Sequence, residues 1–333
     1  MIEKQIFEAL STAKNCVITS HKSPDGDSIG SSMALFYFLE KLGIHAKVVH
    51  PDKAPNYLQS IPGVDSIICF DEQTEEAKTL LADADLIFCL DYNEASRVGP
   101  LMQPDLEASN AIKVMIDHHL NPSDLCDFVI SNTKKASTCE LIYDWIEANE
   151  KLDLIDETIG TCIYIGTMTD TGSFRFPSVQ SKTHKMIADL IDKGVKPFIW
   201  HENLFDNNTI DRIKLRGFAL SEKLVCLDNL PVAFSSLNQT ELAKLNYQKG
   251  DTEGIVNQIL GISGIKMAVF FMEADGEVKI SFRSKGNYVV NEMAKMHFNG
   301  GGHAYASGGR TELSLEDTIE LFKNVVINFL PNE

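Results

Sequence analysis

The sequence predicts an α/β protein in which a doubly wound parallel sheet forms the N-terminal domain and a helical connector leads to a smaller α/β C-terminal domain. In the first half of the chain, short apolar segments alternate with segments of helix length, the pattern of a parallel sheet. Acidic and imidazole side chains follow directly after several apolar segments. Towards the C-terminus, longer β-type segments are joined by a turn and followed by an amphipathic helix.

The elements of the first domain can be assigned in order along the chain. The segments that predict strands are NCVITS (15–20), IHAKVVH (44–50), ADLIFCLD (84–91) and AIKVMIDHH (111–119). Between the first two, SIGSSMALFYFLEKLG (28–43) predicts a helix that ends at Gly43. Ser137 and Glu140 have the spacing of a capping box, so they predict the start of a helix over STCELIYDWIEANE (137–150).

After the first domain, the alternation of strand-type and helix-type segments gives way to helical segments and then to longer β-type segments. We predict a first domain over 1–195, a helical linker over 196–225 and a second domain over 226–333. EADGE (273–277) lies between two β-type runs and predicts a hairpin. LSLEDTIELFKNVVINFL (313–330) predicts the final helix.

Composition and charge narrow the class of protein. A hydrophobic fraction of 44% and a charged fraction of 23% are typical of soluble globular proteins. The formal net charge of -17 argues against long duplex DNA and membranes as partners, and no stretch reaches the roughly 20 apolar residues that span a bilayer. The seven cysteines are scattered, which predicts buried reduced thiols. The N-terminus lacks a signal-peptide core, so we expect a cytoplasmic protein.

Polar residues cluster where predicted strands end. They are His21, Asp25 and Asp27, then Asp91, then Asp117, His118 and His119, while Asp170 follows an apolar helical run at 157–168. Ligands of open α/β sheets bind at the carboxyl ends of the strands, so these segments can meet in one crevice. Each has an ordinary alternative when taken alone: Asp27 or Ser28 can cap a helix, and Asp91 can end a strand in a turn. Together their oxygen and imidazole donors favour Mn²⁺ or Mg²⁺ over a thiolate zinc site.

Six motifs in order carry a specific resemblance. H-x-x-x-D-x-D (21–27), the lone Asp91, D-H-H (117–119) and T-D-T-G (169–172) resemble the DHH phosphoesterase superfamily. ISFRSKG (280–286) and NGGGHAYASGG (299–309) resemble its DHH-associated C-terminal domain of the first type. Free-standing members with these two domains are similar to bacterial oligoribonucleases that also dephosphorylate 3′-phosphoadenosine 5′-phosphate (pAp).

The resemblance implies two metal ions, which we expect to be Mn²⁺, with Mg²⁺ or Co²⁺ as alternatives. It assigns His21 and Asp25 to the first ion, Asp27, His118 and Asp170 to the second, and Asp91 as a bridge between both. Asp117 would orient a histidine, and His119 would approach the leaving group or the phosphate as the catalytic residue. Metal-activated water would hydrolyse the phosphoester without a covalent intermediate.

The second domain would supply recognition. The expected substrate-binding residues are Arg283, Gly300, Gly301, Gly302 and His303, and also Arg97 after the strand that leads to Asp91. An arginine can form paired hydrogen bonds with a phosphate, and glycines let backbone amides approach an anion. A cleft between the domains would hold a short strand, which favours an exonuclease.

The leading hypothesis is therefore a two-metal phosphoesterase that hydrolyses short oligoribonucleotides and converts pAp to AMP, acting as a monomer or as a homodimer. A phosphodiesterase for the dinucleotide pApA or for cyclic di-AMP is the main alternative. A pyrophosphatase or exopolyphosphatase would share the first domain but carry a different second one. A nucleotide sensor that binds without turnover and a long-DNA exonuclease are further alternatives, and the net charge of -17 opposes the last.

Overall fold

The computed structural model describes residues 2–274 and 276–331. The chain divides into two compact units, of which the first ends at Asn207 and the second begins at Asn208. The predicted linker spans this division, and its residues form two α-helices and a π-helical turn over Glu202–Asp206. None of the described helices combines the length and the apolar composition that crossing a bilayer requires.

The first unit contains a six-stranded sheet with every strand parallel to its neighbours. Its strands are β1 (Cys16–Thr19), β2 (Ala46–His50), β3 (Ile68–Cys69), β4 (Leu86–Leu90), β5 (Ile112–Asp117) and β6 (Phe128–Ser131). Its helices are α1 (Ile2–Leu10), α2 (Gly26–Lys41), α3 (Thr74–Ala82), α4 (Gly99–Ala108), α5 (Thr138–Ala148), α6 (Glu157–Asp170), α7 (Ser181–Asp192) and α8 (Pro197–His201). The predicted doubly wound parallel sheet is thus confirmed.

The strand order, β3-β2-β1-β4-β5-β6, creates a switch point in the sheet. From β1 the chain adds strands on one side, and then it returns to add β4 to β6 on the other side. The connections after β1 and β4 therefore leave the sheet in opposite directions, which opens a crevice at the carboxyl ends of these strands. Residues that follow β1 and β4 are placed at this crevice by topology alone.

Both faces of the first sheet are buried, as expected for parallel strands covered by helices. Ile18 and Phe88 point into a cluster with α2, α5 and α6, whereas Val17 and Ile87 point into a second cluster with α3 and α4. Every residue of β1 and β4 is buried, which matches their uninterrupted apolar sequences. The sheet is thereby held rigid on both sides, and the polar side chains occupy its edge.

The second unit contains a smaller mixed sheet in the order β11-β12-β10-β9-β8-β7. Its strands are β7 (Val225–Cys226), β8 (Val232–Leu237), β9 (Met267–Ala274), β10 (Glu277–Ser284), β11 (Gly301–His303) and β12 (Ala306–Thr311). Its helices are α9 (Ile210–Ser221), α10 (Gln239–Lys244), α11 (Ile255–Leu260), α12 (Asn291–His297) and α13 (Leu315–Val326). Of the neighbouring pairs, β8 and β9 are parallel and the others antiparallel.

The predicted hairpin is the pair β9–β10, in which Glu277 lies opposite Ala274. Asp275, which belongs to the predicted EADGE turn, lies outside the described residues. One face of the sheet packs against α12 and α13 through residues such as Phe282 and Phe322. On the other face, β8 and β9 pack against α9 and α11 through residues such as Phe270.

The start of α6 allows a test of what stabilises the helix that ends at Asp170. The Asp156 carboxylate caps α6 by accepting hydrogen bonds of 3.1 Å from the amides of Thr158 and Ile159, and it lies 2.8 Å from the ammonium of Lys41. Asp156→Ala should lower the free energy of unfolding of the first unit by about 1 kcal/mol at neutral pH. Urea titrations followed by tryptophan fluorescence report on this unit, since both tryptophans, 145 and 200, lie in it.

This effect has a defined pH dependence. Burial acts to raise the pKa of Asp156, but the contact with Lys41 and the two amide hydrogen bonds outweigh it and lower the pKa below 3.8. The stabilisation is therefore fully present above pH 3.8 and is lost as the pH falls through the folded-state pKa. Asp153→Ala, at an exposed position, is the matched control. An equal loss in both variants, or a loss that persists in acid, would contradict the capping role.

Candidate metal centre

The acidic loop between β1 and α2 is organised by the cap of α2. The Asp25 carboxylate caps this helix and accepts hydrogen bonds of 3.0 Å from the amides of Asp27 and Ser28. The alternative in which Asp27 or Ser28 is the cap is thus wrong, because Asp27 already lies within the first turn. Gly26 is required for packing, since a Cβ there would overlap the side chain of Thr169 on α6.

Asp91 takes part in several groups of close donor atoms, of which the first contains His21, Asp25 and Asp91. His21 Nε2 lies 3.8 Å from Asp25 Oδ2 and 3.4 Å from Asp91 Oδ2. The other ring nitrogen, Nδ1, lies 2.9 Å from the carbonyl oxygen of Lys22. A carbonyl can only accept, so Nδ1 carries the proton and Nε2 presents its lone pair to the carboxylates.

The second group contains Asp27, Asp91 and His118. His118 Nε2 lies 3.8 Å from Asp27 Oδ2, 3.5 Å from Asp91 Oδ1 and 3.4 Å from Asp170 Oδ2. Its Nδ1 faces the carbonyl oxygen of Lys135 at 3.3 Å, so the tautomer is set as in His21. The predicted convergence of four chain segments is thus present in the first unit, with Asp170 at the end of α6.

Asp91 belongs to both groups, with Oδ2 nearest His21 and Oδ1 nearest His118. It follows directly after β4 and has a left-handed backbone with φ of 63°. Such a conformation is uncommon for a residue with a Cβ and persists only where the surroundings impose it. Asp91 lies in the turn by which the chain leaves the sheet after β4. From this turn its carboxylate faces both donor groups.

Burial and charge make this arrangement costly without a cation. Burial raises the pKa of Asp91 well above its usual range, and the carboxylates of Asp27 and Asp25 act in the same direction. Burial also raises the pKa of Asp27, against the opposing effect of His118. For His118 burial favours the neutral form, but the carboxylates of Asp170 and Asp27 outweigh it and raise the pKa. Bound cations would neutralise this concentration of negative charge.

The remaining residues of the D-H-H motif, Asp117 and His119, form a pair beside Asp91, whose Oδ1 lies 3.7 Å from His119 Nδ1. His119 Nδ1 lies 2.7 Å from Asp117 Oδ1, and Asp117 is fully buried. Within the described part of the chain, Asp117 Oδ2 has no hydrogen-bond partner. Asp117 thus contacts the ring of His119 rather than that of His118, and this holds the Nδ1 proton of His119 on the side facing Asp117.

The start of α5, for which the sequence predicts only a capping box, supports the carboxylates. The backbone amides of Thr138 and Cys139 donate to the two oxygens of Asp27, at 2.6 and 3.0 Å. The hydroxyl of Thr138 donates to Asp91 Oδ1 at 3.0 Å. A helix N-terminus stabilises negative charge, so α5 compensates part of the charge of the cluster. The hydroxyl-rich capping sequence after a sheet strand is the signal that could have identified Thr138.

Glu140 fixes the loop that precedes α5. The predicted capping box is only half present: Ser137 Oγ accepts from the amide of Glu140 at 3.0 Å, but the Glu140 carboxylate accepts from the amide of Ala136 at 3.0 Å. The other carboxylate oxygen lies 2.9 Å from the ammonium of Lys135. Because the Lys135 carbonyl accepts from His118, this partly buried ion pair supports the orientation of that ring.

Among the predicted substrate-binding residues, only Arg97 belongs to the first unit. It lies in a short 3-10 helix after β4, and its carbonyl accepts from the amide of Lys22 at 2.8 Å. Burial lowers the pKa of His21, and the guanidinium of Arg97 contributes in the same direction, against Asp25. The guanidinium is thus near enough to act on the first donor group while remaining exposed.

The other predicted substrate-binding residues lie together in the second unit. Arg283 on β10 is paired with Ala306 on β12, which is in turn paired with His303 on β11. Gly300 and Gly302 are required by the fold: a Cβ at Gly300 would overlap the carbonyl of Gly308, and Gly302 has φ of 131°. Gly301, in contrast, has open space where a Cβ would be, with no described atom within 4 Å.

The donors of the first unit suit hard divalent cations. The groups consist of aspartates and histidines, whose carboxylate oxygens and imidazole nitrogens fit Mn²⁺ or Mg²⁺. The ligand atoms of each group lie within 4.8 Å of one another, and one carboxylate is common to both. Such an arrangement can hold two cations close together, as phosphate-transferring enzymes do.

The chain is similar in sequence and in structure to several known proteins. The chain is 27% identical over 311 residues to the bifunctional oligoribonuclease and PAP phosphatase NrnA of Bacillus subtilis, covering 92% of each chain. It is 28% identical over 312 residues to the protein of the same name from Thermus thermophilus, covering 91% of this chain and 86% of that one. The crystal structure of an exopolyphosphatase-related protein from Bacteroides fragilis has a TM-score of 0.93 and 35% identity, covering 98% of this chain and 96% of that one.

Two family matches agree with the motifs and with the two compact units. The DHH family, N-terminal domain, matches residues 15–167, which include the donor residues up to His119. The DHHA1 domain matches residues 229–331, which include the arginine and triple-glycine motifs. The resemblance predicted from the sequence is thereby confirmed. The chain belongs to the DHH family, and its DHH domain is followed by a DHHA1 domain.

Proposed function

We propose that the protein is a two-metal phosphoesterase that hydrolyses short oligoribonucleotides from one end and converts pAp to AMP. The observation that carries this proposal is the position of Asp91, whose two oxygens face different donor groups at 3.4 and 3.5 Å. Relatives named oligoribonuclease and PAP phosphatase cover most of the chain and support the substrate class. The protein would act in the cytoplasm, as a monomer or as a homodimer.

We assign the ligands as follows. His21 and Asp25 would hold the first cation, Asp27, His118 and Asp170 would hold the second, and Asp91 would serve both. Mn²⁺ is the proposed ion, since the donors combine imidazole nitrogens with carboxylate oxygens. When bound, the cations neutralise the phosphate and activate water for its hydrolysis.

The residues of this chain prepare the site before substrate arrives. The Lys22 and Lys135 carbonyls hold the Nδ1 protons of His21 and His118, which leaves each Nε2 as the ligand atom. Asp117 holds the Nδ1 proton of His119 in the same way, so His119 Nε2 is available to exchange a proton with the leaving oxygen. Asp117 is thus the positioning residue and His119 the proposed acid.

The second unit supplies recognition in this proposal. Arg283 and His303 flank Ala306 on neighbouring strands and can bind a phosphate from two sides. Gly301 leaves its backbone accessible to the ligand, because nothing described lies within 4 Å of where a Cβ would be. Arg97, in the first unit, would contact a phosphate near the first cation.

A product assay tests the proposed substrate class. Purified protein with Mn²⁺ is offered pAp, two- to five-mer RNAs, a 24-mer, pApA, cyclic di-AMP and pyrophosphate in parallel. We expect AMP from pAp and mononucleotides from the short RNAs, with little turnover of the 24-mer. Turnover of pApA and cyclic di-AMP alone would instead favour the dinucleotide phosphodiesterase, and phosphate from pyrophosphate alone would favour the pyrophosphatase.

Removal of one ligand tests the metal assignment. His118→Ala and Asp170→Ala should each lower kcat/KM by about 10³-fold, because loss of a cation removes several kcal/mol of transition-state stabilisation. Circular dichroism should show intact folding. His45→Ala, at an exposed position before β2, is the matched control and should retain activity. Activity retained in both ligand variants would refute the assignment.

The Thr138 hydroxyl provides a finer test. Thr138→Val removes the donor to Asp91 Oδ1 while keeping the shape of the side chain and both amide bonds to Asp27. Mn²⁺ affinity, measured by calorimetry without substrate, should fall about 10- to 100-fold, as for other groups that orient metal ligands. Thr138→Ser keeps the hydroxyl and should restore the affinity. Equal Mn²⁺ binding by Val and Ser variants would show that the hydroxyl only packs.

A further inference from the structure

The sheet of the second unit has one face that helices cover only in part. On β10, Val278, Ile280 and Phe282 point into the core with α12 and α13. The alternate residues of β10 therefore point to the opposite face, where side chains of β9 such as Phe270 are buried under α9 and α11. Lys279, Ser281 and Arg283 of β10 remain exposed or half-buried there. The outer part of this face is thus open.

Besides Arg283 and His303, strand register places two more basic side chains on this open face. Lys279 lies directly opposite Arg310 on β12, and both side chains are exposed. Arg283, which lies opposite Ala306, is four residues farther along β10 and therefore about 14 Å away. The face therefore carries basic side chains at both ends of this span, although the formal net charge of the chain is -17. Glu277, two residues beyond Lys279 on β10, is acidic, so the positively charged part of the face ends at Lys279 on that side.

Between the two ends, the face exposes the backbone of the strands and few side chains. Ser281 lies opposite Gly308, which lies opposite Gly301 on β11. A Cβ at Gly308 would meet only the Ile280 carbonyl among the described atoms, at 3.8 Å, and one at Gly301 would meet nothing within 4 Å. Neither glycine has a positive φ. Neither packing nor backbone conformation therefore requires glycine here, whereas a ligand lying flat on the strands would.

From this register we propose that Lys279 and Arg310 form an outer phosphate subsite for single-stranded RNA. The subsite extends the binding surface of Arg283 and His303, so the inference rests on the proposed function. Two nucleosides, joined by one phosphate, lie over Ser281, Gly308 and Gly301, and the phosphate beyond them reaches the outer pair. Since pAp is too short to span both ends, this subsite acts on oligonucleotides of three or more residues and makes binding dependent on length.

The double variant Lys279→Ala with Arg310→Ala tests this subsite in the full-length protein. KM for a five-mer RNA should rise on the order of tenfold, and the loss should grow with length from pAp to the five-mer. The slope of log KM against log salt should decrease by about 0.7, since the subsite holds one phosphate and each lost phosphate contact on a single strand contributes about that much. Lys295→Ala with Lys323→Ala is the control, because it removes equal charge from α12 and α13 behind the opposite face.

Gly308→Ala is an independent variant that the fold has room to accept. It should raise KM for the five-mer severalfold while the unfolding temperature stays equal or increases. Equal losses for pAp and the five-mer, or a loss of the same size in the control, would overturn the outer subsite. If wild-type protein turned over neither substrate, the proposed function would fail. Anisotropy of a labelled five-mer, with divalent cations chelated, would still test the subsite through weaker binding by the double variant.

Discussion

The contact between Asp27 and the first amides of α5 is the interaction on which the site depends. Thr138, which donates to the Asp27 carboxylate, is 111 positions away along the chain. The contact joins the start of α2 to the start of α5, and the Thr138 hydroxyl extends the connection to Asp91 after β4. Three segments of the crevice are therefore fixed relative to one another before any cation binds, which is the kind of support that a preorganised site needs.

Close helix packing makes this contact possible. A Cβ at Gly166 would overlap the Cys139 sulfur and the Asp27 carboxylate, and one at Gly30 would overlap the carbonyl of Cys162. These glycines let α2, α5 and α6 approach at the end where Asp27 and Asp170 lie. A larger residue at either position would separate the helices and withdraw the carboxylates from each other. The small residues within α2 and α6 therefore serve the geometry of the site as well as the core.

The two units use their sheets in different ways. The first sheet is buried on both faces, so its functional groups are confined to the loops at the carboxyl edge, where the strand order reverses. The sheet of the second unit has a partly open face, on which strand register aligns Arg283, Ser281 and Lys279. The edge of a sheet suits a site at which a few side chains converge. An open face suits a longer bound molecule that contacts several side chains in a row.

The sequence by itself determined the fold class and the elements that carry the site. Uninterrupted apolar segments such as that of β4 predict buried parallel strands, and the residues directly after them, such as Asp91, must then lie at the carboxyl edge. Local periodicity and topology suffice for this, because both follow from neighbours in the chain. The motif residues 117–119 were likewise visible as an unusual group at a strand end.

The tertiary structure decided which atoms face one another. It made Asp25 rather than Asp27 the cap of α2, paired Asp117 with His119, and redirected Glu140 from a capping box to Lys135 and Ala136. It also brought Thr138 to Asp91. Each of these outcomes depends on side-chain direction or on contacts between distant segments, and hydrophobic pattern carries no information about either.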